Sequence, residues 1–162
     1  MTNTTLVTGI WDLNRSQTTG QWSRKFDHYK SHFVKLLVSC NDIPMAIFID
    51  PENEDLVWEN RNKNNTVVYH HKKEDFNGNF FPFFDKVQSI RNNDQWKDQA
   101  GWLRDSTQSS LEYYNPMVMS KMFLLNNTRA FNPFNSDYYF WIDGGITNTV
   151  HPGYFSHDKV MG

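Results

Sequence analysis

The residues with the strongest claim to chemistry are Asp143, Gly144 and Gly145, within the stretch "YYFWIDGGITNTVHPGYF" (138–155). Five large apolar residues run into one carboxylate, two glycines follow, and a polar loop comes next. A carboxylate at the end of an apolar strand can hold a divalent cation, and a cation can neutralise a diphosphate. The glycines permit positive φ and let the backbone come close to a ligand. Asp-Gly is also an ordinary turn pair, so residue type alone divides evenly between a ligand site and a turn. Asp50, directly before Pro51, reads as a helix cap more than as a ligand group. Lys121 is the lone cation of an apolar helical stretch. Its amine either snorkels to water, the commoner outcome, or meets an anion beside the Asp143 strand that follows.

Other constellations carry less. His70 and His71 are adjacent, so in a strand they face opposite sides. His151 and His157 flank a glycine loop, and no zinc spacing fits. Cys40 sits in an apolar helical stripe and reads as core. "TGIWDLNRSQTTG" lacks the spaced glycines and terminal lysine of a phosphate-cradling loop. Asp105 and Glu112 lie in a polar, aromatic-rich segment and read as solvated surface, which leaves the catalytic base unassigned.

The elements that must position these groups can be read from periodicity. Short β-branched or apolar runs at 4–10, 44–50, 65–70 and 138–143 read as strands. Apolar residues at spacings of three and four predict helices from about Trp22 to Cys40 and over 80–91. A short helix is expected over 51–61, and another over 115–125 with Asn115 as its cap. Alternation of strand and helix argues for an α/β sheet with parallel pairs. Strand 138–143 is apolar on both faces and is expected to be central. In such sheets ligands bind beyond the C-terminal strand ends, here Thr8–Gly9, Asp50 and Asp143–Gly145.

Composition narrows the classes. The 162 residues suffice for one domain with a real core, and no repeat or linker stands out. Sixteen basic residues against eighteen acidic ones give a net charge of −2, which argues against a broad basic face for nucleic acid or an anionic membrane. Cys40 is the only cysteine, so no intrachain disulfide can form and a reducing compartment is the default. "MTNTTLVTGIW" has neither a basic region nor a long apolar run. The expectation is a cytoplasmic protein with no signal peptide and no transmembrane segment.

The order of "TLVTGIWDLNR", "PMAIFID", "VWENR", "QAGWLRDSTQSSLEYYNPMVMSKMFLL" and "YYFWIDGGITNTVHPGYF" resembles the WlaTC/HtrL (YibB-like) family over nearly the whole chain. That resemblance implies a GT-A-like, Rossmann-like fold with a mostly parallel sheet flanked by helices. It implies a glycosyltransferase that moves a sugar from a nucleotide-sugar, a UDP-sugar, to a glycan or similar acceptor. "WIDGG" then stands where GT-A enzymes carry an Asp-x-Asp motif, with Gly145 in place of the second aspartate. Asp143 takes the metal and diphosphate role, with Mn²⁺ or Mg²⁺ as the cation and Gly144 and Gly145 beside it. Thr8, Gly9 and Ile10 lie against the nucleotide, and Arg61 and Lys121 face the phosphates or sugar. Chains of the GT-A type usually continue well beyond this strand, whereas this sequence ends at "HDKVMG". The resemblance thus implies that residues 1–162 are the nucleotide-sugar-binding half of such a domain, truncated at the C-terminus. Apolar surface left uncovered there would favour a homodimer. The alternative is a non-catalytic module that binds a nucleotide-sugar or carbohydrate.

Overall fold

A computed structural model describes residues 3–155, the side chain of Trp22 excepted. The chain forms two compact units. The first takes Met1–Ile10, Asp27–His71 and Met122–Gly162, and the second takes Trp11–Phe26 and Lys72–Lys121. Each unit is assembled from separated stretches, so a composition change along the sequence could not mark the division.

The first unit is built on four parallel strands: β1 (Thr4–Ile10), β2 (Met45–Ile49), β3 (Thr66–His70) and β4 (Tyr138–Trp141). Their order is β3-β2-β1-β4. This is an α/β protein with an all-parallel, Rossmann-like sheet, as the alternation of elements predicts. β1 and β2 have a strand on each side and are buried almost throughout, which is why their sequences are apolar with little alternation. In register, Gly9 lies beside Phe48 and Phe48 beside Tyr69. The Phe48 and Tyr69 rings stack at 5.0 Å.

β4 departs from expectation. It is an edge strand among the described residues, paired only with β1. Its alternate side chains Tyr138 and Phe140 are 52% and 55% exposed. Apolar residues on both faces of the strand therefore reflect an uncovered surface and not a central position.

Helix α1 (Phe26–Ser39) links β1 to β2 and buries Phe33, Leu36 and Leu37. It is shorter than the apolar pattern suggests, since Gly20–Trp22 forms a separate 3₁₀ turn. Asp50 accepts from the Glu52 amide at 3.1 Å, with Pro51 opening the turn, so it is the cap its sequence predicts. A 3₁₀ turn over Pro51–Asn53 and helix α2 (Asp55–Trp58) replace the single helix expected there.

The second unit holds α3 (Phe84–Arg91), α4 (Asp94–Gln99) and α5 (Thr107–Ser110). The last helix, α6 (Tyr114–Phe131), begins in this unit and ends in the first. It starts one residue before Asn115, whose side chain donates to the Gln108 carbonyl at 3.2 Å instead of capping. α6 hides a narrow stripe at four-residue spacing: Pro116, Ser120, Leu124 and Thr128. Met119 and Met122 on its outer side are 49% and 77% exposed, so the helix is not buried all round as its composition suggests. No helix among the described residues is long and apolar enough to cross a membrane.

Candidate functional site at the β1–β4 switch point

The strand order sets where a ligand can sit. The chain runs outward from β1 to β2 to β3 and then returns to lay β4 on the opposite side of β1. Connections therefore diverge between β1 and β4, and parallel sheets leave a crevice at the C-terminal ends of such a pair. Gly9 and Ile10 of β1 reach that end, as does Asp143, two residues beyond β4. The ladder extends past β4 through the Ile142 amide, which donates to the Val7 carbonyl at 2.9 Å.

Gly144 is buried because it presses on β1. A β-carbon placed there would lie 2.8 Å from the Gly9 carbonyl oxygen and 3.1 Å from the Phe33 ring. A β-carbon at Gly145 would lie 3.2 Å from the Tyr29 ring. Neither glycine has a positive φ. Close approach, not left-handed backbone, is thus the reason for both.

Asp143 itself is exposed, and its Oδ1 accepts from the Trp141 indole nitrogen at 2.7 Å. The following turn, Ile146–Asn148, is fastened to α1. The Thr147 hydroxyl donates to the His32 carbonyl at 2.9 Å. That hydroxyl has one proton, so the 2.9 Å contact between His32 Nδ1 and Thr147 Oγ1 makes the ring nitrogen the donor. His28 Nε2 lies 3.2 Å from Asn148 Oδ1, and the two imidazoles are 4.7 Å apart. Burial, then the neighbouring His28 and Lys35, lower the His32 pKa below its usual value, against an opposing hydrogen bond to the Thr147 backbone.

The sequence-predicted residues separate into groups. Gly9, Asp143, Gly144 and Gly145 come together. Thr8 and Ile10 flank Gly9, but their side chains are buried, and the Thr8 hydroxyl has no hydrogen-bond partner among the described residues. Lys121 is half-buried on α6 in the second unit. His157 lies outside the described residues.

Arg61 is not part of the site. Its guanidinium donates to Thr66 Oγ1 at 3.0 Å, to the Ile43 carbonyl at 2.7 Å and to the Cys40 carbonyl. A longer bond of 3.4 Å reaches the Leu37 carbonyl. These partners are the end of α1 and the beginnings of β2 and β3, so Arg61 closes the opposite end of the sheet from Asp143. It is buried, and burial pushes its pKa down to about 10, which still leaves it charged at neutral pH.

Sequence reasoning missed Trp141, Tyr29, His28, His32 and Thr147. A signal existed for some of them. Trp141 and Asp143 are two apart in extended chain, and His28 and His32 are four apart in a helix, so each pair shares a face. No group of three His, Cys, Asp or Glu side chains placed to hold a metal occurs among the described residues. One carboxylate does not fit a cation held by protein ligands alone.

The sheet and the site thus define an α/β protein of Rossmann-like architecture with an exposed carboxylate at its topological switch point. The chain belongs to the HtrL_YibB family, bacterial proteins of unknown function, whose profile matches residues 2–160. No curated protein matches the chain. No solved structure matches it either.

Proposed function

We propose that this protein is a glycosyltransferase whose nucleotide-sugar donor, a UDP-sugar, docks at the crevice between β1 and β4. One observation carries the reading: Gly144 is pressed against the Gly9 carbonyl, so the loop bearing the exposed Asp143 is drawn to the end of β1 at the switch point. The C-terminal ends of neighbouring parallel strands at such a switch point are where ligands dock in open α/β sheets. In the reaction the bond from the anomeric carbon to the diphosphate oxygen breaks, and a bond to an acceptor hydroxyl forms. The hydroxyl proton goes to a base, and the electron pair leaves with the nucleoside diphosphate. Asp143, oriented by Trp141, would accept hydrogen bonds from the donor's sugar or ribose hydroxyls. Asp143 would be the protein ligand of any Mn²⁺ or Mg²⁺ ion, and the chemistry such an ion would supply is charge neutralisation at the diphosphate.

The test is a thermal-shift screen of nucleotide-sugars with and without Mn²⁺. A donor at 100 times its dissociation constant adds about 2.7 kcal/mol of stability. A shift with one nucleotide-sugar supports donor binding, and release of its nucleoside diphosphate with a glycan acceptor distinguishes transfer from binding alone. No shift with any donor overturns the reading. The uncovered Tyr138 and Phe140 on β4 support the further proposal of a homodimer, and sedimentation equilibrium showing only monomer would overturn that part.

A further inference from the structure

The second unit contains a cavity of about 290 Å³, and its reading does not depend on the donor proposal. Leu13 and Leu111, both buried, supply its apolar lining, and Asn14, Lys73, Arg91 and Glu112 supply polar groups. Asn14 has left-handed backbone, with φ 60°. Its amide donates to Asp12 Oδ1 at 2.9 Å, and its side-chain oxygen accepts from Lys73 Nζ at 3.2 Å. Lys73 is thereby held by a neutral group and forms only a long ion pair, at 4.0 Å, with the exposed Glu74.

Arg91, half-buried at the end of α3, is fixed in the same manner. Its Nε donates to Gln88 Oε1 at 3.0 Å and its Nη1 to the Ser109 carbonyl at 3.2 Å. Both acceptors are neutral, and Arg91 makes no ion pair among the described residues. A guanidinium pinned by neutral acceptors keeps its charge and its remaining donors for a ligand. Two cations thus face one lining carboxylate, Glu112.

We propose that this cavity binds a small acidic sugar, meaning a polyol that carries a carboxylate or a phosphate. Arg91 and Lys73 take the oxyanion, Glu112 and Asn14 take hydroxyls, and Leu13 and Leu111 lie against the C–H face of the ring. A bare oxyanion fits less well. The volume is close to the lower bound of about 300 Å³ for small-molecule pockets. Glu112 would also repel an anion that offers it no hydroxyl.

The experiment is calorimetric titration of the full chain with glucuronate and with glucose 6-phosphate, against glucose and inorganic phosphate. We expect one of the acidic sugars to bind saturably at one site, at least tenfold tighter than either control. The two acidic sugars distinguish a carboxylate from a phosphate. Arg91→Gln should weaken that binding at least tenfold, while Arg104→Gln, at an exposed arginine paired with Asp98, should leave it unchanged. Should Arg91→Gln fail to fold, Lys73→Gln carries the same expectation. Binding of the acidic sugars no tighter than glucose or phosphate overturns the proposal. So does binding that survives both substitutions.

Discussion

The indole nitrogen of Trp141 donates to Asp143 Oδ1 at 2.7 Å, from the last residue of β4 to the acid two positions beyond it. The bond helps fix the direction of an exposed carboxylate. Trp141→Phe removes the donor and keeps most of the aromatic body. We expect little change in melting temperature and a several-fold loss of UDP-sugar affinity, about 1 kcal/mol. Calorimetry on the two proteins measures it, and equal affinities would show that the bond does not serve the ligand.

Gly144→Ala tests the close approach to β1. The added methyl would stand 2.8 Å from the Gly9 carbonyl, a backbone atom that cannot swing away. The expected cost is about 1–3 kcal/mol of stability, as for other overpacked sites. Gly145→Ala meets only the edge of the Tyr29 ring at 3.2 Å and should cost less. Gly78→Ala, with nothing within 4 Å, serves as the control. Urea denaturation of the three variants gives the ranking, and an unaffected Gly144→Ala would mean that the loop does not rest on β1.

Arg61→Met should be structural in its effect. It leaves the Ile43 carbonyl without its donor at the start of β2, while the Cys40 carbonyl keeps the Ile43 amide at 3.0 Å. An unsatisfied buried group costs about 1–3 kcal/mol, so a loss of that order is expected. Arg61→Lys, which cannot span the same set of carbonyls, should also destabilise but leave UDP-sugar affinity in the folded protein unchanged. Lost affinity in a fully folded lysine variant would return Arg61 to the ligand.

The architecture was largely legible because burial writes itself into composition. β1 and β2 lie between neighbouring strands, and their near-continuous apolar runs say so. β4 misled because an apolar strand reads alike whether its faces are covered by protein or left open. α6 misled for the same reason, since Met119 and Met122 are apolar yet exposed. Asp143 and its glycines could be singled out by type, but the reason for the glycines could not. That reason lies in Gly9, more than a hundred residues away. Arg61 shows the converse: a cation near a strand invites a phosphate, and only the fold reveals the carbonyls that occupy it.

Cys40 should behave as core. Its thiol is buried, and burial pushes its pKa from 9.0 up to about 11. The folded state therefore favours the protonated thiol. This contribution to stability is complete below about pH 9 and is lost as pH rises towards about 11. Native protein at pH 8 should react with a thiol reagent only at the rate of its unfolding. Rapid modification without loss of structure would contradict the burial.

His32 should make the turn after Asp143 sensitive to acid. Its pKa is lowered in the folded state, so its contribution is present above the ordinary value of 6.5 and is lost as pH falls through the lower folded value. A charge there would face His28 and Lys35. Hydrogen exchange, corrected for its intrinsic pH dependence, should show faster opening of 146–149 at pH 5 than at pH 7.5. His32→Gln should reduce that difference, and an identical pH response in the variant would assign it to another group.

The central claim is that Asp143 serves a nucleotide-sugar donor, and isothermal titration of wild type and Asp143→Asn with the donor selected by thermal shift tests it most directly. Asparagine keeps the side chain's size and an acceptor for the Trp141 indole while removing the charge. The account predicts an unchanged melting temperature for the unliganded variant and at least tenfold weaker donor binding, about 1.4 kcal/mol. Equal affinities in the two folded proteins would contradict it.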